Sequence, residues 1–142
     1  HELGFTLWKL LSTIYNRSLQ MDRFDKLVDD MGKHAQLEYP RECCGVILKD
    51  FSYVHAENKS LQPKTSFVLD PGILVKYDEQ IWGIFHSHPG EDQPIPSRDD
   101  KHAAGFSQYK FIVGFGKKFY IYWQDKEIDA LKFDKFQRKH LD

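Results

Sequence analysis

Apolar positions along this chain follow two periods. Leu7, Trp8, Leu11, Ile14 and Tyr15 recur at helical spacing, and so do Phe24, Leu27, Val28, Met31 and Ala35. The spacing predicts an amphipathic helix within residues 1–20 and a second helix from Met21 to about Leu37. Tyr39-Pro40 should stop the second, because the residue before a proline avoids helical backbone. Beyond it the apolar runs shorten to strand length. Residues 41–48 read as a strand entered through Glu42, with residues 52–57 as its partner and a turn around Lys49-Asp50. A polar loop over 59–66 leads to a brief strand, Phe67-Val68-Leu69. Asp70 then caps a helix that has Pro71 at its first position and runs to about Glu79. Ile81-Trp82-Gly83-Ile84-Phe85 is too short for a helix and rich in β-branched and aromatic residues, the signature of a buried strand. A short helix over 99–106 and a meander over 110–115, 118–124 and 128–133 complete the chain. The sum is an α/β three-layer sandwich, a mixed sheet flanked by helices.

Length and composition narrow the function. At 142 residues the chain makes one domain able to bury a core without staples. Met21 looks like a natural start, so residues 1–20 are read as an extension, leader or appended segment, and 21–142 as the single domain. The first helix should pack on the domain or on a neighbouring copy, which makes it a candidate homodimer contact; with few basic residues it suits a membrane surface poorly. A net charge of −1 with 29% charged residues gives no electrostatic case for nucleic acid. No apolar run approaches the roughly 18 residues of a membrane span, and the opening lacks the basic start of a secretory signal. The two cysteines, Cys43 and Cys44, are adjacent. Neighbouring Cα atoms about 3.8 Å apart are too close for an ordinary disulfide, which implies a reducing compartment and a cytoplasmic location. The absence of a C-x-x-C pair excludes a zinc finger.

The chemistry gathers where the buried strand ends. In His86-Ser87-His88-Pro89 the alternation of a strand puts His86 and His88 on one face. Two imidazoles there are half of a metal site, and Asp100 is the candidate third ligand. Pro89, Pro94 and Pro96 stiffen the path between them. Ser97-Arg98-Asp99-Asp100 is also a helix-start pattern, in which Ser97 caps the helix that holds Asp100. Both readings fit together. Glu42 matters only if its strand brings it beside the two histidines. His34, His55, His102 and His140 have no spacing partner, although His102 lies close enough to Asp100 to support it; Arg98 and Asp99 belong at the rim.

Taken together, Glu42, then His86-x-His88-Pro89, seven residues, Ser97, two residues and Asp100 resemble the JAMM motif of the JAB/MPN metallopeptidases. Pro40-Arg41-Glu42-Cys43-Cys44-Gly45 is similar to the Pro-x-Glu-x-Cys-Gly opening of the prokaryotic and phage branch. The likeness spans about residues 21–133. It implies one Zn2+ per chain on His86, His88 and Asp100, with Glu42 as general base and Ser97 donating to the oxyanion. Zinc with three protein ligands keeps a position open for water and lowers its pKa toward about 7. The expected reaction is hydrolysis of a peptide or isopeptide bond by water, on a protein substrate such as a ubiquitin-like modifier. Two alternatives within the family are a phage tail-assembly peptidase, placing the protein in a host cytoplasm, and a non-catalytic scaffold. A thiol enzyme using Cys43 or Cys44 with His86 is the mechanistic rival.

Overall fold

A computed structural model describes residues 2–123 and 126–129. The helix α1 (Glu2–Glu38) is continuous where two helices were expected. The reason is local: no proline occurs before Pro40, and the stretch between the two apolar stripes is free of glycine. Six strands follow: β1 (Cys44–Leu48), β2 (Tyr53–Ala56), β3 (Ile81–Ser87), β4 (Lys110–Phe115), β5 (Lys118–Trp123) and β6 (Lys126–Asp129). Between them lie α2 (Pro71–Tyr77), a 3-10 turn at Asp78–Gln80 and α3 (Arg98–Ala104). Asp70 caps α2 by accepting from the Gly72 amide, with Pro71 at the first position as the pattern predicts. The strand expected at 67–69 reduces to one bridge, Asn58 to Leu69. β6 begins at Lys126, earlier than expected; residues 130–133 of that expectation lie outside the described residues.

The sheet order is β2-β1-β3-β4-β5-β6. All neighbours are antiparallel except β3 and β4, whose parallel pairing is made possible by the crossover through α3. On one face Phe24, Leu27, Met31 and Ala35 of α1 pack against Ile47, Trp82, Phe85, Ile112 and Ile121. On the other, Val46, Ile84, Phe111, Val113 and Tyr122 meet Ala104 of α3 and the α2 side chains Ile73 and Leu74. These are the three layers. A bulge at Trp82, where Ile47 pairs with Gly83 but Leu48 with Ile81, resets the alternation of β3. Phe85 therefore faces α1, and His86 turns to the α3 face. Gly45 is required by packing: a Cβ there would meet the Tyr53 ring and the Val54 carbonyl oxygen at 2.5 Å.

The first half of α1 differs sharply. Leu7, Trp8, Leu10, Leu11, Ile14 and Tyr15 are 56–67% exposed. Among the described residues, no helix is long and apolar enough to cross a membrane.

Candidate metal centre

Two ladders carry the site. Cys44 pairs with His86, and the pairing runs one residue further: the Ser87 amide donates to the Cys43 carbonyl at 3.0 Å, and the Cys43 amide to Ser87 Oγ at 2.8 Å. That lock fixes Glu42 beside the end of β3. The Glu42 backbone is pinned from the other side, its amide donating to the Pro63 carbonyl at 2.7 Å and its carbonyl accepting from Asn58 Nδ2 at 2.9 Å. On the β4 side the His88 amide donates to the Gly114 carbonyl at 3.1 Å. The backbone is thus held by β1 and β4 at once.

At this corner the side chains converge. His86 Nε2 and His88 Nε2 are 3.1 Å apart, and Asp100 Oδ2 lies 3.3 Å from each. Glu42 joins them, its carboxylate and the two imidazoles offering ligand atoms within 4.8 Å of one another. Ser97 caps α3 with a reciprocal pair: the Asp100 amide donates to Ser97 Oγ at 3.0 Å, and the Ser97 amide to Asp100 Oδ2 at 2.9 Å. Capping and convergence share one carboxylate oxygen, so helix α3 is what aims Asp100 at the histidines.

The donor set fits zinc. Donors arranged tetrahedrally at about 2.0–2.1 Å from zinc stand roughly 3.3–3.4 Å from one another. The triangle of His86, His88 and Asp100 has sides of 3.1, 3.3 and 3.3 Å. Both rings direct Nε2 to that point and leave Nδ1 buried without a hydrogen bond, although His88 Nδ1 comes within 3.1 Å of Glu91 Oε2. Two carboxylates compete for the third ligand position. Asp100 is the better fit, because its oxygen sits at the tetrahedral edge length from both rings.

Electrostatics divide the groups. Burial pushes the His86 pKa down, against the pull of Asp100. Burial also works to lower His88, but Asp100, Glu91 and Glu42 outweigh it and the net shift is upward. Burial would raise Asp100; hydrogen bonds from both histidines instead hold its carboxyl far below the usual range. Glu42, 7% exposed, is pushed up to about 7, chiefly by burial, with His88 opposing and Asp100 and Glu91 adding. Burial likewise pushes Cys43 up to about 11 and Cys44 up to about 12, the wrong direction for a thiolate nucleophile. The rival thiol mechanism has no support here.

A cleft of about 500 Å3 opens on this corner, lined by Glu42, His88, Ser97 and Asp100 and walled by Lys64, Phe67, Phe111 and Tyr122. Several of these residues were not singled out from the sequence. Phe67 stacks on the His86 ring at 4.4 Å, and Tyr122 meets it edge-on at 6.5 Å. No hydrogen bond to the Tyr122 hydroxyl occurs among the described residues. The loop after Pro89 is tied to β5, where Lys118 Nζ donates to the Asp92 carbonyl at 2.8 Å and the Tyr120 hydroxyl to Gln93 Oε1 at 3.0 Å. Strand alternation puts Tyr120 and Tyr122 on one face, and the sheet order decides which face that is. Of the rim residues, Asp99 lines the cleft and Arg98 does not. His102 packs on Phe106, with ring centroids 5.2 Å apart.

A mixed sheet between helices, with imidazoles and carboxylates meeting at the end of its third strand, defines a JAB-like domain. The family model of prokaryotic homologs of the JAB domain matches residues 24–118, more than half of the chain, and the chain belongs to that family. It is 37% identical over 83 residues to the tail tip assembly protein K of Escherichia phage N15, a match covering 54% of this chain and 33% of that protein. The match thus spans about a third of that relative's length. A solution structure of a protein from Salinibacter ruber aligns with 74% of this chain and 84% of its own, with 15% identity and a TM-score of 0.45.

Proposed function

We propose that this domain is a zinc-dependent hydrolase of peptide or isopeptide bonds. The observation that carries it is the 3.1–3.3 Å triangle of His86, His88 and Asp100 with the Glu42 carboxylate beside it. Zinc held on those three residues would supply Lewis acidity and ease deprotonation of a water. Glu42 takes the proton of the attacking water and delivers it to the leaving amine. Ser97, whose Oγ accepts from the Asp100 amide, retains its own O–H to donate to the carbonyl oxygen as negative charge builds there. Tyr122, which also lines the cleft, offers a second O–H. The bond broken is the amide C–N, and no acyl-enzyme forms.

Two substrate readings are proposed. A ubiquitin-like modifier of the β-grasp type, released from its attachment or trimmed at its tail, remains the first reading. Its partner reading is a peptidase acting in phage tail assembly, supported by the likeness to the tail tip assembly protein. Both need a cut. A scaffold of the same fold does not, and one experiment separates them. Purified protein should carry close to one zinc per chain by mass spectrometry. Incubated with a panel of β-grasp modifier fusions and tail-protein fragments, it should release a product of defined mass. Glu42→Gln should keep the zinc and lose cleavage by at least about a hundredfold. Zinc without cleavage on any panel member, or cleavage untouched by Glu42→Gln, would sink the proposed mechanism.

A further inference from the structure

The first half of α1 presents an apolar surface that stays exposed among the described residues. At about 100° per residue, Leu7, Trp8, Leu10, Leu11, Ile14 and Tyr15 fall within one arc roughly 160° wide. Thr6, Lys9, Ser12, Thr13 and Asn16 fill the other side. The core-facing arc further along, formed by Phe24, Leu27, Met31 and Ala35, is centred about 140° away on the same wheel. The helix is unbroken between them. The first stripe therefore points away from the sheet that buries the second, and that sheet cannot bury both.

We infer that this stripe pairs with the same stripe of a second copy, forming a two-fold helix pair that joins two domains. Three observations select that occupant. First, the stripe is apolar and self-complementary, and a two-fold contact needs only one such patch per chain. Second, with each of the six side chains 56–67% exposed, the uncovered area is roughly 550 Å2 per copy. Two copies bury about 1,100 Å2, which clears the threshold of about 1,000 Å2 for a specific interface. Third, Lys9 is the one charged residue between positions 3 and 16. A helix lying on an anionic lipid surface needs a basic polar face, and this one lacks it. Lys9 sits opposite the stripe, so pairing brings no like charges together.

Sedimentation velocity on the 142-residue chain from 1 to 100 μM tests this. The expected result is a species of twice the 16.8 kDa chain mass, with Trp8 fluorescence shifting to the blue as the dimer fills. Leu11→Asp together with Ile14→Asp should weaken dimerisation at least a hundredfold. Their far-UV circular dichroism and zinc content should match the wild type, because both positions lie outside the core. A wild-type monomer at 100 μM overturns the proposal, as does a dimer that persists in the double variant. Co-sedimentation of a monomeric wild type with phosphatidylserine vesicles would assign the face to a membrane and overturn it equally. None of these readouts depends on hydrolysis, so the inference stands or falls apart from the proposed reaction.

Discussion

Among the described residues two histidine pairs occur, and they do opposite things. His34 on α1 and His55 on β2 stack face to face, with ring centroids 3.7 Å apart and planes 9° from parallel. His34 Nδ1 is 2.6 Å from the Tyr53 hydroxyl, and the pair closes the seam between helix and sheet. His86 and His88 stand farther apart, 4.9 Å between centroids at 70°, yet their Nε2 atoms are 3.1 Å apart. Stacking hides nitrogens from one another; a steep angle aims them at one point. The second pair also has a carboxylate at equal distance from both rings, which the first lacks. Proximity of imidazoles is therefore a poor guide to a metal site. Convergence of their lone pairs with an acidic oxygen is the better one.

The largest expected effect breaks the second pair. His88→Ala or Asp100→Asn should lower zinc affinity by at least about a hundredfold, since each removes one corner of the 3.1–3.3 Å donor triangle. His55→Ala should leave zinc stoichiometry unchanged. Titration with a competing chelator reads both, and loss of zinc from His55→Ala would erase the distinction drawn between the pairs.

The next effect concerns acid. Burial lowers the His34 pKa to about 4, helped by His55 and opposed by Glu38. An unfolded histidine titrates near 6.5. Between those values the unfolded chain binds more protons, so this stability term is complete above about pH 6.5 and is lost as pH falls to about 4. The loss should be about 2 kcal/mol, smaller than the full shift implies because solvent and Glu38 screen the ring. Denaturant melts at pH 7 and pH 4.5 should show it, and His34→Gln should flatten the slope in that window. An unchanged slope would remove His34 as its source.

A smaller effect tests the seam alone. Tyr53→Phe removes the partner of His34 Nδ1 and should cost about 1–2 kcal/mol, with zinc binding intact. The smallest acts at the cleft. Tyr122→Phe, which keeps the stacking on Phe111, should leave melting temperature and zinc content alone and slow cleavage of any substrate found by about three- to tenfold. A drop in thermal stability instead would make that hydroxyl structural.

Much of the fold was legible from local chemistry. Asp70-Pro71 announced α2, Tyr39-Pro40 ended α1, and the apolar run at 81–85 proved the central strand, extended to Ser87. The misreadings came where local signals are weak. The chain between residues 16 and 23 has no breaker, yet the register of its apolar positions changes there, and two stripes looked like two helices. Phe67-Val68-Leu69 has strand composition but no neighbour to pair with beyond one bridge, because Phe67 is drawn down onto His86.

For the site, the spacing of His86, His88, Ser97 and Asp100 was visible because a strand end, a short loop and a helix cap hold all four within fifteen residues. Those constraints are local, and the sequence alone determined them. It could not place Glu42 beside the histidines, nor raise Phe67, Lys64 and Tyr122 as the walls of the cleft. That was decided by the β1-β3-β4-β5 order, since hydrogen-bonded register between distant strands depends on which partners the whole core can bury. The same limit applies to His34 and His55: twenty-one positions apart on different elements, they meet only because the face of α1 that fits the sheet carries one of them inward.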